Sequence, residues 1–299
     1  MTTAFVLSGG GSLGAVQVGM LLALSDRHVT PDLVVGSSVG ALNAAYLAGH
    51  PSWQGVVGLA EVWAGLNRHD VFPTSLGRAG RALTGRTNAL ADAAPLRALL
   101  ARHLTYDRLE DAPWPVAVVA TEVLTGREVV LRSGPAVDAV MASAALPAVF
   151  PPVTVDDHLL MDGGVANNTP ISVAVGLGAD RVYVLPTGYA CALTTPPRGA
   201  IAMALHAVTL TVQRRLIEDV SRLAEHTDLR AVPPLCPLSV SPVDFSHSRQ
   251  LIDRARASTR RWLDQPLTAH PGEHLALHQH EPPHTPAREE VDADYQPAC

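Results

Sequence analysis

Lysine is absent: all 22 basic residues of this 299-residue chain are arginines. That removes Schiff-base and pyridoxal-lysine chemistry and the phosphate-holding lysine of a P-loop. Cysteine is scarce. Cys191, Cys236 and Cys299 are odd in number, far apart and outside any C-x-x-C spacing. They indicate neither a disulfide framework nor a zinc site, and a reducing, cytoplasmic compartment is the expectation. No uninterrupted apolar run reaches about 18 residues and no basic segment leads the N-terminal apolar stretch, so neither a membrane-spanning helix nor a signal peptide is expected. A basic stripe is missing as well. Residues 1 to 265 hold 22 acids against 21 arginines, and residues 266 to 299 hold six acids against Arg288. Without such a stripe to neutralise a run of phosphates, the composition argues against nucleic-acid binding, and no nucleic-acid partner is expected.

What is present is apolar: 47% of the residues are hydrophobic, enough for a sizeable core. Residues 3 to 8 have the pattern of a buried strand. Residues 15 to 27 place Val16, Met20, Leu21 and Leu24 on one helical face. "PDLVVGSSVGALNAAYLAG" repeats the strand, turn and helix over residues 31 to 49, and "WPVAVVATEVLTGREVVL" gives two strands around Thr125-Gly126. A small-residue helix follows, stopped by Pro147, then the strand ending at Asp162, a helix, the strand 181 to 185, and helices over 200 to 226 and 247 to 263. This alternation predicts an α/β fold with a mainly parallel sheet covered on both faces. Residues 72 to 89, poor in periodicity, are the candidate for a mobile cap. The domain is expected to end near residue 265. Beyond it the His-, Pro- and acid-rich segment 266 to 299 should stay unpacked. His270, His274 and His278 have an i, i+4 spacing, but Pro266 and Pro271 argue against the helix a metal site there would need.

Three glycine-rich blocks carry the chemistry. Gly9, Gly11 and Gly14 satisfy G-x-G-x-x-G after a strand, which suits a dinucleotide or any anion held by backbone N–H groups. A dinucleotide unit needs an acid at the end of the second strand, and here that strand ends in Gly36-Ser37-Ser38. Gly36-Ser37-Ser38-Val39-Gly40 is instead G-x-S-x-G between a strand and a helix, the setting of a nucleophile elbow; the alternative is a βα turn with a capping serine. No histidine lies in a recognisable catalytic setting, and His158 fits an exposed hairpin. Asp162, followed by Gly163 and Gly164, is the better base, although an ordinary carboxylate would need desolvation and direct contact with the serine oxygen. The N–H groups of Gly9, Gly10 and Gly11 would then hold a tetrahedral oxyanion, at about 3 kcal/mol per donor.

"GGGSLGAVQVG" (9 to 19), "GSSVGALNAA" (36 to 45) and "DGGVANNTP" (162 to 170), with the weaker "ATEVLTGREVVL" and "ASAALPAVFPP", resemble the bacterial patatin-like phospholipases over roughly residues 3 to 265. The resemblance implies a three-layer αβα sandwich and a Ser-Asp dyad without histidine: Ser38 as nucleophile, Asp162 as base, Gly9 to Gly11 as oxyanion hole, with Gly14, Gly36, Gly40, Gly163 and Gly164 shaping the loops. It implies a lipid acyl hydrolase of phospholipase A, lysophospholipase or esterase type that works through an acyl-enzyme on a lipid or lysolipid ester, with no cofactor or metal. The alternative is a catalytically weak relative that binds lipid or a partner; a Rossmann protein is a distant third. Leu13 departs from the pattern, since many relatives carry Arg or Lys there, and this bears on lipid-phosphate preference. Arg254, Arg256, Arg260 and Arg261 form the one basic cluster, either a solvated helix face or a peripheral contact with an anionic membrane.

Overall fold

The computed structural model describes residues 1–73, 89–188, 199–238, 240–265 and 275. Its strands are β1 (Thr3–Leu7), β2 (Leu33–Ser37), β3 (Val116–Glu122), β4 (Glu128–Leu131), β5 (Val153–Val155), β6 (His158–Asp162), β7 (Arg181–Leu185) and β8 (Asp228–Ala231). They form one sheet in the order β5-β6-β3-β2-β1-β7-β8, with β4 on β3. From β3 through β8 the neighbours are parallel, and β4, β5 and β6 join antiparallel.

Side chains alternate across a strand, so an unbroken apolar run feeds both faces of a sheet. In β1, Phe5 and Leu7 enter one core while Ala4 and Val6 enter the other. Tyr183 and Leu185 of β7 divide from Val182 and Val184 in the same way. Each face therefore requires a helical cover. The helices are α1 (Gly14–Asp26), α2 (Val39–Gly49), α3 (Trp53–Gly65), α4 (Arg68–Val71), α5 (Ala94–His103), α6 (Ala136–Ser143), α7 (Gly164–Asn167), α8 (Ile171–Gly176), α9 (Ala200–Leu223) and α10 (Ser248–Leu263). α1, α2, α3 and α10 cover the Phe5 face, whereas α8 and α9 bring Ile171, Leu216 and Val220 to the other. The result is three layers around a mixed, mainly parallel sheet. Among the described residues no helix is long and apolar enough to cross a membrane.

Several local expectations change. α1 is buried all round from Gly14 to Leu24 rather than along one stripe, because it lies between the sheet and α10. A Cβ on Gly19 would stand 2.2 Å from the Ile252 carbonyl oxygen, so a bare backbone is what lets the two helices close. The arginine cluster is largely engaged inside the fold: Arg256 makes two hydrogen bonds to Asp26 (2.8 and 3.0 Å), Arg260 reaches the same carboxylate at 3.1 Å, and Arg254 donates to the Pro237 carbonyl. The Arg256 guanidinium holds the Asp26 carboxyl below its usual range. α6 ends at Ser143, four residues before Pro147, where the chain turns and the Ser143 and Ala145 carbonyls accept from the Gly163 and Asp162 N–H groups. β8 adds an edge strand that the sequence pattern did not reveal. Cys236 is disulfide-bonded, with its partner outside the described residues, which corrects the expectation of unpaired cysteines and removes its support for a reducing compartment. The candidate cap and the tail lie almost wholly outside the described residues. Leu275 is buried in the second core, and its carbonyl accepts a hydrogen bond from Gln213 at 2.5 Å.

Candidate active site

Strand register brings Ser38 and Asp162 together. Ser37, the last residue of β2, pairs with Val119 of β3, and Asp162, the last of β6, pairs with Ala120, one step further on. β4 occupies the opposite edge of β3 along Val118 to Thr121. β2 and β6 must therefore share one edge, with β6 taking over where β2 leaves. Ser38, one residue past β2, meets the end of β6, and its Oγ donates to Asp162 Oδ2 at 2.6 Å.

Ser38 sits at φ 54°, ψ −125°, a region that costs a non-glycine residue about 1–3 kcal/mol. Close backbone packing enforces the turn. A Cβ on Gly36 would stand 2.3 Å from the Gly40 carbonyl oxygen, and one on Gly40 would stand 2.1 Å from that of Leu7. The Ser38 N–H donates to Ser143 Oγ at 2.9 Å, and that hydroxyl donates to the Val119 carbonyl at 2.5 Å.

Asp162 is 3% exposed. Burial pushes its carboxyl up to about 6, against the opposing pull of the Ser38 hydroxyl and of the Gly164 N–H, which donates to Oδ1 at 2.7 Å. Desolvation and direct contact with the serine, the two conditions for a carboxylate to act as base on an alcohol, are both present. Gly163 lies against the Val119 carbonyl, and its own N–H donates to the Ser143 carbonyl at 3.1 Å.

The glycine loop after β1 reaches the same point. Gly9 N–H donates to the Asn168 carbonyl at 3.0 Å, and the Gly9 carbonyl accepts from Thr187 Oγ1 and, at 3.4 Å, from Asn168 Nδ2. Gly9 is thus committed within the fold. Gly10 and Gly11 N–H groups make no hydrogen bond to a described residue, which narrows the three candidate donors to two. Gly14 opens α1 against Val39 and Trp63. Behind the loop, Gln17 Nε2 donates to the Ser8 and Leu185 carbonyls (2.8 and 3.0 Å), Asn43 Nδ2 donates to Gln17 Oε1 (2.8 Å), and Trp63 Nε1 donates to Asn43 Oδ1 (2.8 Å).

A cavity of about 340 Å³ opens over these groups. Gly10, Gly11, Ser38, Asp162 and Asn168 form its polar end; Leu13, Leu42, Trp63, Phe72, Leu96, Leu99, Phe150 and Phe245 supply apolar wall. Leu13 is buried in the main core and presents no charge where a cation was the alternative. Phe72 stacks on Phe150 with centroids 5.5 Å apart, and Trp63 on Phe245 at 6.0 Å. Among the described lining residues Asp162 is the sole ionisable group. Leu146, Val165, Val208 and Val243 line the cavity and are exposed.

A family model described as patatin-like phospholipase matches residues 5–175, more than half of the chain. The chain belongs to the patatin-like phospholipase family. Patatin-like phospholipase domain-containing protein 7 of Rattus norvegicus is 31% identical over 187 residues, covering 62% of this chain and 13% of that protein. A lysophospholipase of Mycosarcoma maydis is 27% identical over 188 residues, 63% of this chain and 10% of that one. An uncharacterized NTE family protein of Mycobacterium tuberculosis is 26% identical over 283 residues, 89% of this chain and 46% of its own length. The chain thus spans about an eighth of the first of these relatives.

The patatin blocks drew attention to the residues that meet at the site but not to those that hold them. Ser143, Asn168 and Thr187 act through hydrogen bonds between segments far apart in sequence; only the match of "ASAALPAVFPP" and "DGGVANNTP" to the family pattern touched the first two. His158 is on the exposed β5-β6 hairpin, 2.9 Å from Glu122, and takes no part.

Proposed function

We propose that the protein is a lipid acyl hydrolase that cleaves carboxylic esters through an acyl-enzyme on Ser38. The observation that carries this reading is the 2.6 Å hydrogen bond from a strained serine to a buried carboxylate, both lining a largely apolar cavity. The acyl chain lies along the Leu, Phe and Trp wall and the ester carbonyl at the polar end. Ser38 Oγ attacks the carbonyl carbon as Asp162 takes its proton. The carbonyl oxygen becomes an oxyanion held by Gly10 and Gly11 N–H groups, aided by the N-terminal dipole of α2. Collapse expels the alcohol, which leaves with the proton from Asp162. Water then attacks the acyl-enzyme while Asp162 accepts its proton, and the second collapse frees the fatty acid and returns that proton to Ser38.

A lipid or lysolipid ester fits the apolar wall, and the name of one relative, a lysophospholipase, points the same way. The exposed apolar residues at the mouth, rather than the arginines of α10, suit contact with a lipid surface. The test is hydrolysis of p-nitrophenyl esters and lysophospholipid by the wild type, Ser38→Ala and Asp162→Asn. Both variants should lose at least about 10³-fold in kcat. An Asp162→Asn protein with full activity would remove the dyad, and a wild type without turnover but with saturable lipid binding would favour a binding protein of the same fold.

A further inference from the structure

We propose that Ser143 is a positioning residue that locks the nucleophile and the base into one unit; this rests on the hydrolase reading above. A serine hydroxyl has a single proton, and here it goes to the Val119 carbonyl at 2.5 Å, an oxygen that can only accept. The Ser143 oxygen is thereby left to accept the Ser38 N–H at 2.9 Å, and no rotation of the hydroxyl reverses these roles. Ser143 is fully buried, so water does not replace it.

The surrounding backbone completes the clamp. The Ser143 carbonyl accepts the Gly163 N–H at 3.1 Å, and the Ala145 carbonyl accepts the Asp162 N–H at 3.0 Å. The same turn after α6 therefore grips the elbow through a side chain and the base through two peptide carbonyls. Ser38 needs that grip because its backbone is in an unfavourable region. With the N–H released, the peptide can relax and swing Oγ away from Asp162 Oδ2. Shifts of about 1 Å in a reacting group cost up to about 100-fold in rate.

The experiment compares wild type, Ser143→Ala and Ser143→Thr on p-nitrophenyl butyrate, with active sites counted by a fluorophosphonate probe so that rates refer to folded protein. Ser143→Ala should lower kcat per site by about 10- to 100-fold with little change in KM. It should also move the acid limb of the pH profile upward, because Asp162 loses a hydrogen bond that favours its ionised form. Ser143→Thr, which keeps the hydroxyl, recovers most of the loss. A Ser143→Ala enzyme with wild-type kcat per site and an unmoved acid limb overturns the positioning role, even if its melting temperature falls. That result leaves the hydrolase reading intact, whereas a wild type that neither turns over ester nor labels takes down both.

Discussion

Replacing Asp162 by Asn should make the protein more stable at neutral pH while destroying its activity. Burial pushes the folded carboxyl up to about 6 from an ordinary value of 3.8, which at 1.36 kcal/mol per pH unit amounts to about 3 kcal/mol. The folded state keeps the proton up to about pH 6, while the unfolded chain releases it near pH 4. Stability is therefore undiminished below pH 4, falls as the pH rises through 6, and carries the whole penalty above that. Asn has no charge to desolvate. Urea unfolding of wild type and Asp162→Asn at pH 4.5 and pH 8 reads the effect directly: the variant should gain up to about 3 kcal/mol at pH 8, less what its rearranged hydrogen bonds lose, and much less at pH 4.5. The kcat/KM of the wild type should rise through pH 6 to a plateau. An equal difference in stability at the two pH values, with an activity midpoint near 4, would refute the desolvated-base argument.

Other substitutions probe the scaffold. Gly40→Ala places a Cβ 2.1 Å from the Leu7 carbonyl oxygen, and a loss of about 3 kcal/mol or failure to fold is expected in thermal melts. Ser37→Ala removes a buried hydroxyl that has no hydrogen-bond partner among the described residues, and the unfolding free energy from denaturant titration should stay the same or rise by about 1 kcal/mol; a large loss would reveal a partner. Asp26→Asn frees Arg256 and Arg260 on α10 and should cost about 1 kcal/mol, a difference that shrinks in 1 M salt. Vesicle flotation should be unaffected by Arg256→Gln but weakened by Val208→Glu at the cavity mouth.

The sequence carried the site further than it carried the scaffold. Glycines at 36 and 40 around Ser38 leave a local imprint because the turn they permit is a matter of a few adjacent residues, and the alternation of apolar runs exposes a two-faced sheet. Asp162 was identifiable as a carboxylate before two glycines, but its closeness to Ser38 comes from the register of β2 and β6 along one edge of β3, which no local pattern encodes. Ser143 lies inside the weaker family match "ASAALPAVFPP", but nothing in that match gives it a role, because its two hydrogen bonds reach Ser38 and Val119 far away in sequence. Arg256 and Arg260 looked like surface charge until α10 was laid against α1, and the pairing of Cys236 is equally invisible to spacing. Gly9 shows the opposite limit: its place in the motif suggested a donor to the oxyanion, yet its N–H is already bound to Asn168.

The most direct test of the account is the mass of the protein after reaction with a fluorophosphonate, followed by peptide mapping. One equivalent of adduct on Ser38, absent from Ser38→Ala and formed much more slowly in Asp162→Asn, is the predicted result. Ester hydrolysis by a wild type that takes up no probe, or that carries it on another residue, would contradict the claim that Ser38 and Asp162 form the reacting pair.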